Sequence, residues 1–407
     1  MGGAILQLSI KGVQDKNFTT NPEITFFQKI FRRHTNFARE NIERQFNGSF
    51  TYNQIGTCDI VRDGDLINQM YLKIQLPKLQ APDGTQCYWA NSIGHILIEY
   101  VALEINGEII DKQYGEWLEL NSELSLSSSK QLGYNELVGK IADGFGTLNN
   151  SAFEGPKSIY VPCNFWFSKD LGSSLPMIAL ENSSVKVHVK FNKFSKCVIK
   201  PTSSVVLPEG NYPFQVSLLL DTIHLEAAER NKFVGKPLKY LITQTQLNDE
   251  KSFRTGQTQE NVSLSFNHPI KEFVWVIQRT DVENDNNDYF NYSNNLNIPD
   301  MVDTFTQAKL MFVGQDRTRL MSSDYFRLIQ PYQHHTNIPK KQIYVYSFAH
   351  KPEEYQPSGS VNFSNVDNAS LQIHRSNCLC SAYIRIYAVN MNILYLNNGS
   401  CSLLYHN

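Results

Sequence analysis

An internal repetition constrains this chain more than any other feature of its sequence. Ile67 to Gln75 reads INQMYLKIQ, and Ile270 to Gln278 reads IKEFVWVIQ. Ala102 to Gly107 is answered by Ala308 to Gly314, each followed about ten residues later by an aromatic cluster, at Trp117 or at Tyr325 and Phe326. Ile159-Tyr160-Val161 then pairs with Ile343-Tyr344-Val345. An alternating segment follows 26 residues later at Val185 in one copy and 28 later at Leu371 in the other. Ser217 to Leu220 and Tyr383 to Ile386 close the two copies. Five pairs in one order point to duplication of a single domain.

The repeated unit reads as β structure. Val185, Val187, Val189 and Phe191 alternate with Lys186, His188 and Lys190, and Met70, Leu72, Ile74 and Leu76 alternate with Tyr71, Lys73 and Gln75. A period of two puts one side-chain set on each face of a sheet, so these strands bury one face and wet the other. Phe273 to Ile277 is apolar on both faces and predicts a strand covered on both sides by a neighbouring domain or subunit. The richness in Phe (24) and Tyr (20) suits pleated surfaces better than helices. Helical patterns are short, at 115–126, 134–142 and 225–233, and read as insertions between strands.

Pro237 cannot sit inside a ladder and restricts the residue before it, so Gly235-Lys236-Pro237 predicts the junction between the copies. The expected division is an arm over residues 1–40, a first β domain over 41–234 and a second over 238–407.

The net charge of -2 supplies no positive field for a polyanion, so direct nucleic-acid binding is not expected. No run of about 18 apolar residues occurs, and Met1 to Lys16 lacks the apolar core and cleavage site of a secretory signal. The seven cysteines are an odd, scattered set and read as reduced thiols of a protein that stays in the cytosol.

Several passages carry a family likeness. Near the start it lies in Asn21-Pro22, Phe26-Phe27 and Arg32-Arg33-His34, and in mid-chain in Glu229-Arg230 and the run Phe266 to Gln278. The most specific stretch is Gln330-Pro331-Tyr332-Gln333-His334-His335, followed by Phe348, Pro352, Pro357, Gly359 and Asn362 to Asn368. In these residues the chain resembles the major capsid proteins of the nucleocytoplasmic large DNA viruses, the group with iridoviruses and phycodnaviruses. Two places depart from the usual pattern, Ala228 where an Asp is more common and the tail from Asn398. The resemblance implies an all-β fold of two tandem eight-stranded antiparallel jelly rolls, a double jelly roll with short helical insertions. It further implies pseudo-hexagonal homotrimers that tile an icosahedral virus shell, neighbouring trimers, minor capsid and penton proteins and an internal viral membrane as partners, and a virion assembled in the host cytoplasm.

A shell protein requires no reactive group, and the sequence offers none: no phosphate loop, HExxH, serine elbow or carboxylate pair stands out. Neither a cofactor nor a metal is expected, and the chain does not read as an enzyme. Sandwiches of this class also bind carbohydrate or act as cupin-type metalloenzymes, so fold alone does not decide function. A carbohydrate-binding β-sandwich is the alternative reading.

The candidate contact residues lie in the arm, where Phe26, Phe27, Lys29, Arg32 and Arg33 mix aromatic and basic character. They would meet minor capsid proteins or the internal membrane, or else would staple the arm to its own sandwich. The polar stretch 281–297 reads as a long exposed loop, so among nine Asn-x-Ser/Thr sequons Asn291 is the candidate for glycosylation. A calcium loop there is disfavoured, because Asn286 stands where glycine is needed and Tyr292 where a bidentate Glu is needed. His334 and His335 read as adjacent residues of an extended segment, pointing to opposite faces, so they are expected to be core or interface histidines rather than a shared metal site. Cys378 and Cys380 lack a second ligand pair, and Leu6 stands where an N-myristoylation signal wants Ser or Thr.

Overall fold

In the computed structural model, Val185–Phe191 buries Val185, Val187, Val189 and Phe191 and leaves Lys186, His188 and Lys190 half-exposed, the alternation that its sequence prescribes. The structure describes residues 2–48, 51–82, 84–141, 155–200, 205–281, 288–294, 302–375 and 381–405. Two compact units are present, Met1–Asn36 and Phe37–Asn407.

Sixteen strands of the second unit carry its architecture. The first eight are β1 (Phe37–Gln45), β2 (Ile55–Asp59), β3 (Leu66–Leu76), β4 (Ile98–Ile105), β5 (Glu108–Tyr114), β6 (Lys157–Cys163), β7 (Val185–Phe191) and β8 (Gln215–Leu225). They form two antiparallel sheets, β1-β8-β3-β6 and β2-β7-β4-β5.

The next eight are β9 (Leu238–Leu247), β10 (Gln259–Leu264), β11 (Pro269–Arg279), β12 (Gln307–Phe312), β13 (Gln315–Asp316), β14 (Tyr344–Ser347), β15 (Ala369–His374) and β16 (Ala382–Asn397). Their sheets run β9-β16-β11-β14 and β10-β15-β12-β13, the same two orders with every number raised by eight. This is a double jelly roll. Short strands such as Lys251–Phe253 and Ser400–Leu403 extend the β9-β16-β11-β14 sheet by pairing with β16. Gly235 to Pro237 stand between the helix Ala227–Phe233 and β9.

Each of the five repeated sequence pairs falls on strands of equal position. The ladders correct one of them by a single residue. Leu72 is opposite Val161 and Trp275 is opposite Tyr344, so with Leu72 matched to Trp275 the counterpart of Ile343 is Tyr160, not Ile159. A one-residue slip exchanges sheet faces, and accordingly Ile159 faces its own core while Ile343 faces the other sandwich.

The β4–β5 and β12–β13 hairpins also repeat their turns. Asn106 and Gly107 have φ of 55° and 83°, and Val313 and Gly314 have 48° and 75°. Two positive φ values in a two-residue loop give the turn whose twist suits adjoining strands.

Two apolar clusters fill the body. One belongs to the second sandwich and includes Phe273, Trp275, Ile277 and Leu310. The other fills the first sandwich and continues through Val274, Val276, Ile343, Val345, Tyr387 and Val389 onto the outer face of the β9-β16-β11-β14 sheet. The two-faced run Phe273 to Ile277 is therefore covered on both sides, with the first sandwich as its second cover. Helices Gly115–Ser125 and Ser128–Val138 lie between β5 and β6 as insertions. Two further short helices, Gly3–Ser9 and Val13–Thr19, occupy the arm. No helix among the described residues is long and apolar enough to cross a membrane.

Candidate assembly surfaces

A shell subunit must hold a fixed outline, so the first functional feature is the seam that locks the two sandwiches together. Its centre is the helix Gly115–Ser125, which lies over the outer face of the second sandwich. Trp117 packs on Tyr387 with ring centroids 5.6 Å apart. Covering Val274, Val276, Val345 and Val389 removes apolar surface worth roughly 1.5–3 kcal/mol per fully buried side chain. That burial, rather than the charges, supplies most of the seam's stability, because buried ion pairs gain little beyond their desolvation cost.

The charges fix register instead. Arg385 forks onto Glu116, with Nε 2.6 Å from Oε2 and Nη2 2.8 Å from Oε1. The hydroxyls of Tyr387 and Tyr292 donate to the same carboxylate at 2.7 and 3.0 Å. At the edge, Thr245 N–H donates to Asp111 at 3.0 Å and Gln244 Nε2 to the Ile110 carbonyl at 2.5 Å.

A second cluster surrounds Glu119, whose side chain has no solvent exposure. Lys140 of the first sandwich and Lys341 of the second place their ammonium groups 2.7 and 2.6 Å from its Oε1. Lys140 also reaches Glu123 at 2.5 Å, so two carboxylates face two ammoniums. Burial alone would raise the Glu119 pKa, but the two lysines and His95 outweigh it and hold the carboxyl well below its usual range. Burial holds His95 neutral, its pKa lowered. Its Nδ1–H donates to Glu119 at 2.7 Å, and its Nε2 accepts from the Tyr134 hydroxyl at 3.0 Å.

Sequence reading missed this seam, since Glu116 and Arg385 are 269 residues apart. The only signal was the apolar second face of Phe273 to Ile277.

Two expectations about polar segments are corrected. Within 281–297, Asp281 and residues 288–294 are described, and 288–294 are packed rather than exposed: Tyr292 is 1% exposed and Asn291 5%. The segment pays for its polarity with hydrogen bonds. Tyr292 reaches Glu116, Asn291 Oδ1 accepts from Ser293 N, and Gln278 Nε2 donates to the Tyr289 carbonyl at 2.5 Å. Asn291 is thus not the exposed acceptor that its polar setting predicts, and a glycan there would require the segment to leave its place. Asn286 lies outside the described residues. The second correction concerns His334, which ends a helix, Gln330–His334, rather than standing in an extended strand. His335 caps that helix with a side chain only 3% exposed, its Nδ1 2.9 Å from Glu353 and its Nε2 2.9 Å from Glu272.

In the arm, Phe26 is 88% and Phe27 98% exposed, and Lys29, Arg32 and Arg33 are exposed with them. Cys378 and Cys380 lie outside the described residues, while Cys58, Cys87, Cys163, Cys197 and Cys401 are buried free thiols.

Two jelly rolls of matching strand order, locked by an apolar seam, define the class of double jelly-roll proteins. Comparison with known proteins gives the family. Major capsid protein N-terminus matches residues 25–226, and large eukaryotic DNA virus major capsid protein matches residues 229–402. The chain belongs to the family of large eukaryotic DNA virus major capsid proteins, and its role is structural. The major capsid protein of Pyramimonas orientalis virus is 34% identical, and that of Paramecium bursaria Chlorella virus 1 is 31% identical, both matched over 100% of each chain. Among solved structures, PBCV-1 VP54 superposes with a TM-score of 0.80 at 28% identity, over 94% of this chain and 100% of that one. The Faustovirus major capsid protein shares the fold, with a TM-score of 0.74 at 13% identity over 95% of this chain and 94% of that one.

Proposed function

We propose that the chain forms homotrimers of nearly hexagonal outline and that these tile the icosahedral shell of a virion. The observation that carries this reading is the matched strand order of the two halves. Two like sandwiches per chain, taken three times, put six similar units around a threefold axis, so a trimer fills a site where six neighbours meet. The rigid seam supports the same reading, because a tile must keep its angles. PBCV-1 VP54, similar along nearly all of this chain, has been fitted into a reconstruction of the virophage Sputnik, and a chain of the quasi-atomic PBCV-1 virus capsid is similar over the same share.

In this reading the working divisions are the arm (1–40), the first roll (41–234) and the second (238–407), and the protein has no catalytic task. Assembly takes place in the host cytoplasm. Neighbouring trimers, penton and minor capsid proteins are its partners, and Phe26, Phe27, Lys29, Arg32 and Arg33 contact minor capsid proteins or an internal membrane. Exposed aromatics beside cations suit either surface.

Light scattering on the purified chain tests the trimer: three chains per particle supports it, and a stable monomer defeats it. Removing residues 1–24 tests the arm, since undiminished shell assembly would exclude an assembly role for that part.

A further inference from the structure

We propose that the contact between copies is a second version of the internal seam: the helical run Tyr325–His334 of one chain docks on the outer face of the β1-β8-β3-β6 sheet of the next. This rests on the trimer reading and deepens it.

The argument starts from ladder registers. In the second sandwich, Tyr387, Val274 and Val345 form one row across the sheet and point outward into the seam. The corresponding row in the first sandwich is Leu219, Tyr71 and Pro162. All three are half-buried, where their counterparts Tyr387 and Val274 are fully covered. A cavity of about 470 Å³ opens beside this row, bordered by Tyr71, Pro162, Leu126 and Leu137.

The other half of the seam is also duplicated. The helix Gly115–Ser125 follows β5 and precedes β6; in the second sandwich the insertion between β13 and β14 holds Tyr325–Ile329, a π-helical turn, running into Gln330–His334. One side of this run is packed, with Phe326, Gln330 and Pro331 buried. The other carries Leu328, Ile329 and Tyr332, 38%, 45% and 77% exposed. Tyr332 stands four residues after Leu328 and three after Ile329, so it neighbours both on the surface of the run and the three form an apolar ridge.

Each chain thus has one ridge and one sheet row engaged with each other, and one ridge and one sheet row left over. The leftover pair repeats the engaged pair in topology, which is why a second copy is the occupant. Such a contact is head-to-tail, and with the threefold rotation of the proposed trimer it closes into a ring. Tyr332 is the anchor suited to the cavity, as aromatic side chains seated in pockets dominate interfaces. The copies are not interchangeable in strength. Lys73 stands where the second sandwich has Val276, and its Nζ is held 3.1 Å from Glu43, so the outer contact is wetter than the inner one.

Two variants test this, each changing one half: Ile329→Asp with Tyr332→Asp on the ridge, and Tyr71→Asp on the sheet. Expected by light scattering is a wild-type trimer, loss of trimer in each variant with unchanged thermal melting, and recovery of two-chain particles on mixing the two, since each supplies the half that the other lacks. Trimers persisting in both variants overturn this contact and leave the trimer reading standing; a monomeric wild type overturns both. Should a variant melt early, the otherwise native pair Tyr71→Cys with Tyr332→Cys replaces it. A bismaleimide then links up to three chains, beyond the level seen with either single cysteine, and no added linkage counts against the contact.

Discussion

Lys341 of the second jelly roll places its Nζ 2.6 Å from Oε1 of Glu119, a carboxylate of the first jelly roll that water does not reach. The two residues are 222 positions apart, and their contact ties the halves at a point where misalignment would strand a buried charge.

Lys341→Met should therefore cost far more than an exposed ion pair would. Removing one partner of a buried pair costs about 3–5 kcal/mol, and here Lys140 remains to soften the loss, so about 3 kcal/mol is expected. Denaturant melts would read it, and Glu119→Gln added to Lys341→Met should recover at least half. An unaffected midpoint in the single variant would show that the seam does not depend on this contact.

His335 makes stability depend on pH. Burial opposes its charge, but Glu272 and Glu353 outweigh burial and raise its pKa to about 9. A raised folded-state value means that the contribution is complete below the unfolded value of about 6.5 and fades as pH climbs through about 9. The stability gap between wild type and His335→Gln should be widest below pH 6.5 and shrink by roughly 3 kcal/mol by pH 10. A gap that grows with pH would reverse the assignment.

Val313 sits at φ 48° in an exposed turn where its counterpart is Asn106. A β-branched residue is strained there and Asn is not, so Val313→Asn should stabilise the chain by about 1 kcal/mol. Calorimetry would register a small rise in melting temperature. A fall would mean that the valine side chain makes contacts that outweigh its strain.

Tyr292→Phe probes the packed segment 288–294. Its hydroxyl is one of two phenols that donate to Glu116, and removing it should cost about 1 kcal/mol by urea unfolding without loss of packing. A cost near zero would place the segment outside the seam.

What the sequence disclosed followed from local periodicity. Val185 to Phe191 states its two faces residue by residue, and Phe273 to Ile277, apolar on both, announced a second cover that is now seen to be the first sandwich. Register across strands is not a local property, which is why sequence likeness pairs Ile343 with Ile159 and the ladders pair it with Tyr160. Polarity misled at Asn291 and Tyr292, since hydrogen bonds to residues as distant as Glu116 let a polar segment pack. The helix at Gln330–His334 was legible in principle, because Pro331 is favoured in a first helical turn. The carboxylates at Glu116 and Glu119 gave no sign of their importance, as nothing near them in sequence supplies their partners.

Electron cryomicroscopy of the purified particles bears on all of this at once. Three chains around one axis, each contributing two superposable lobes to a six-cornered outline, is the expected image. Particles with a twofold axis, or single chains whose lobes swing independently, would contradict the account of a rigid doubled unit built for tiling.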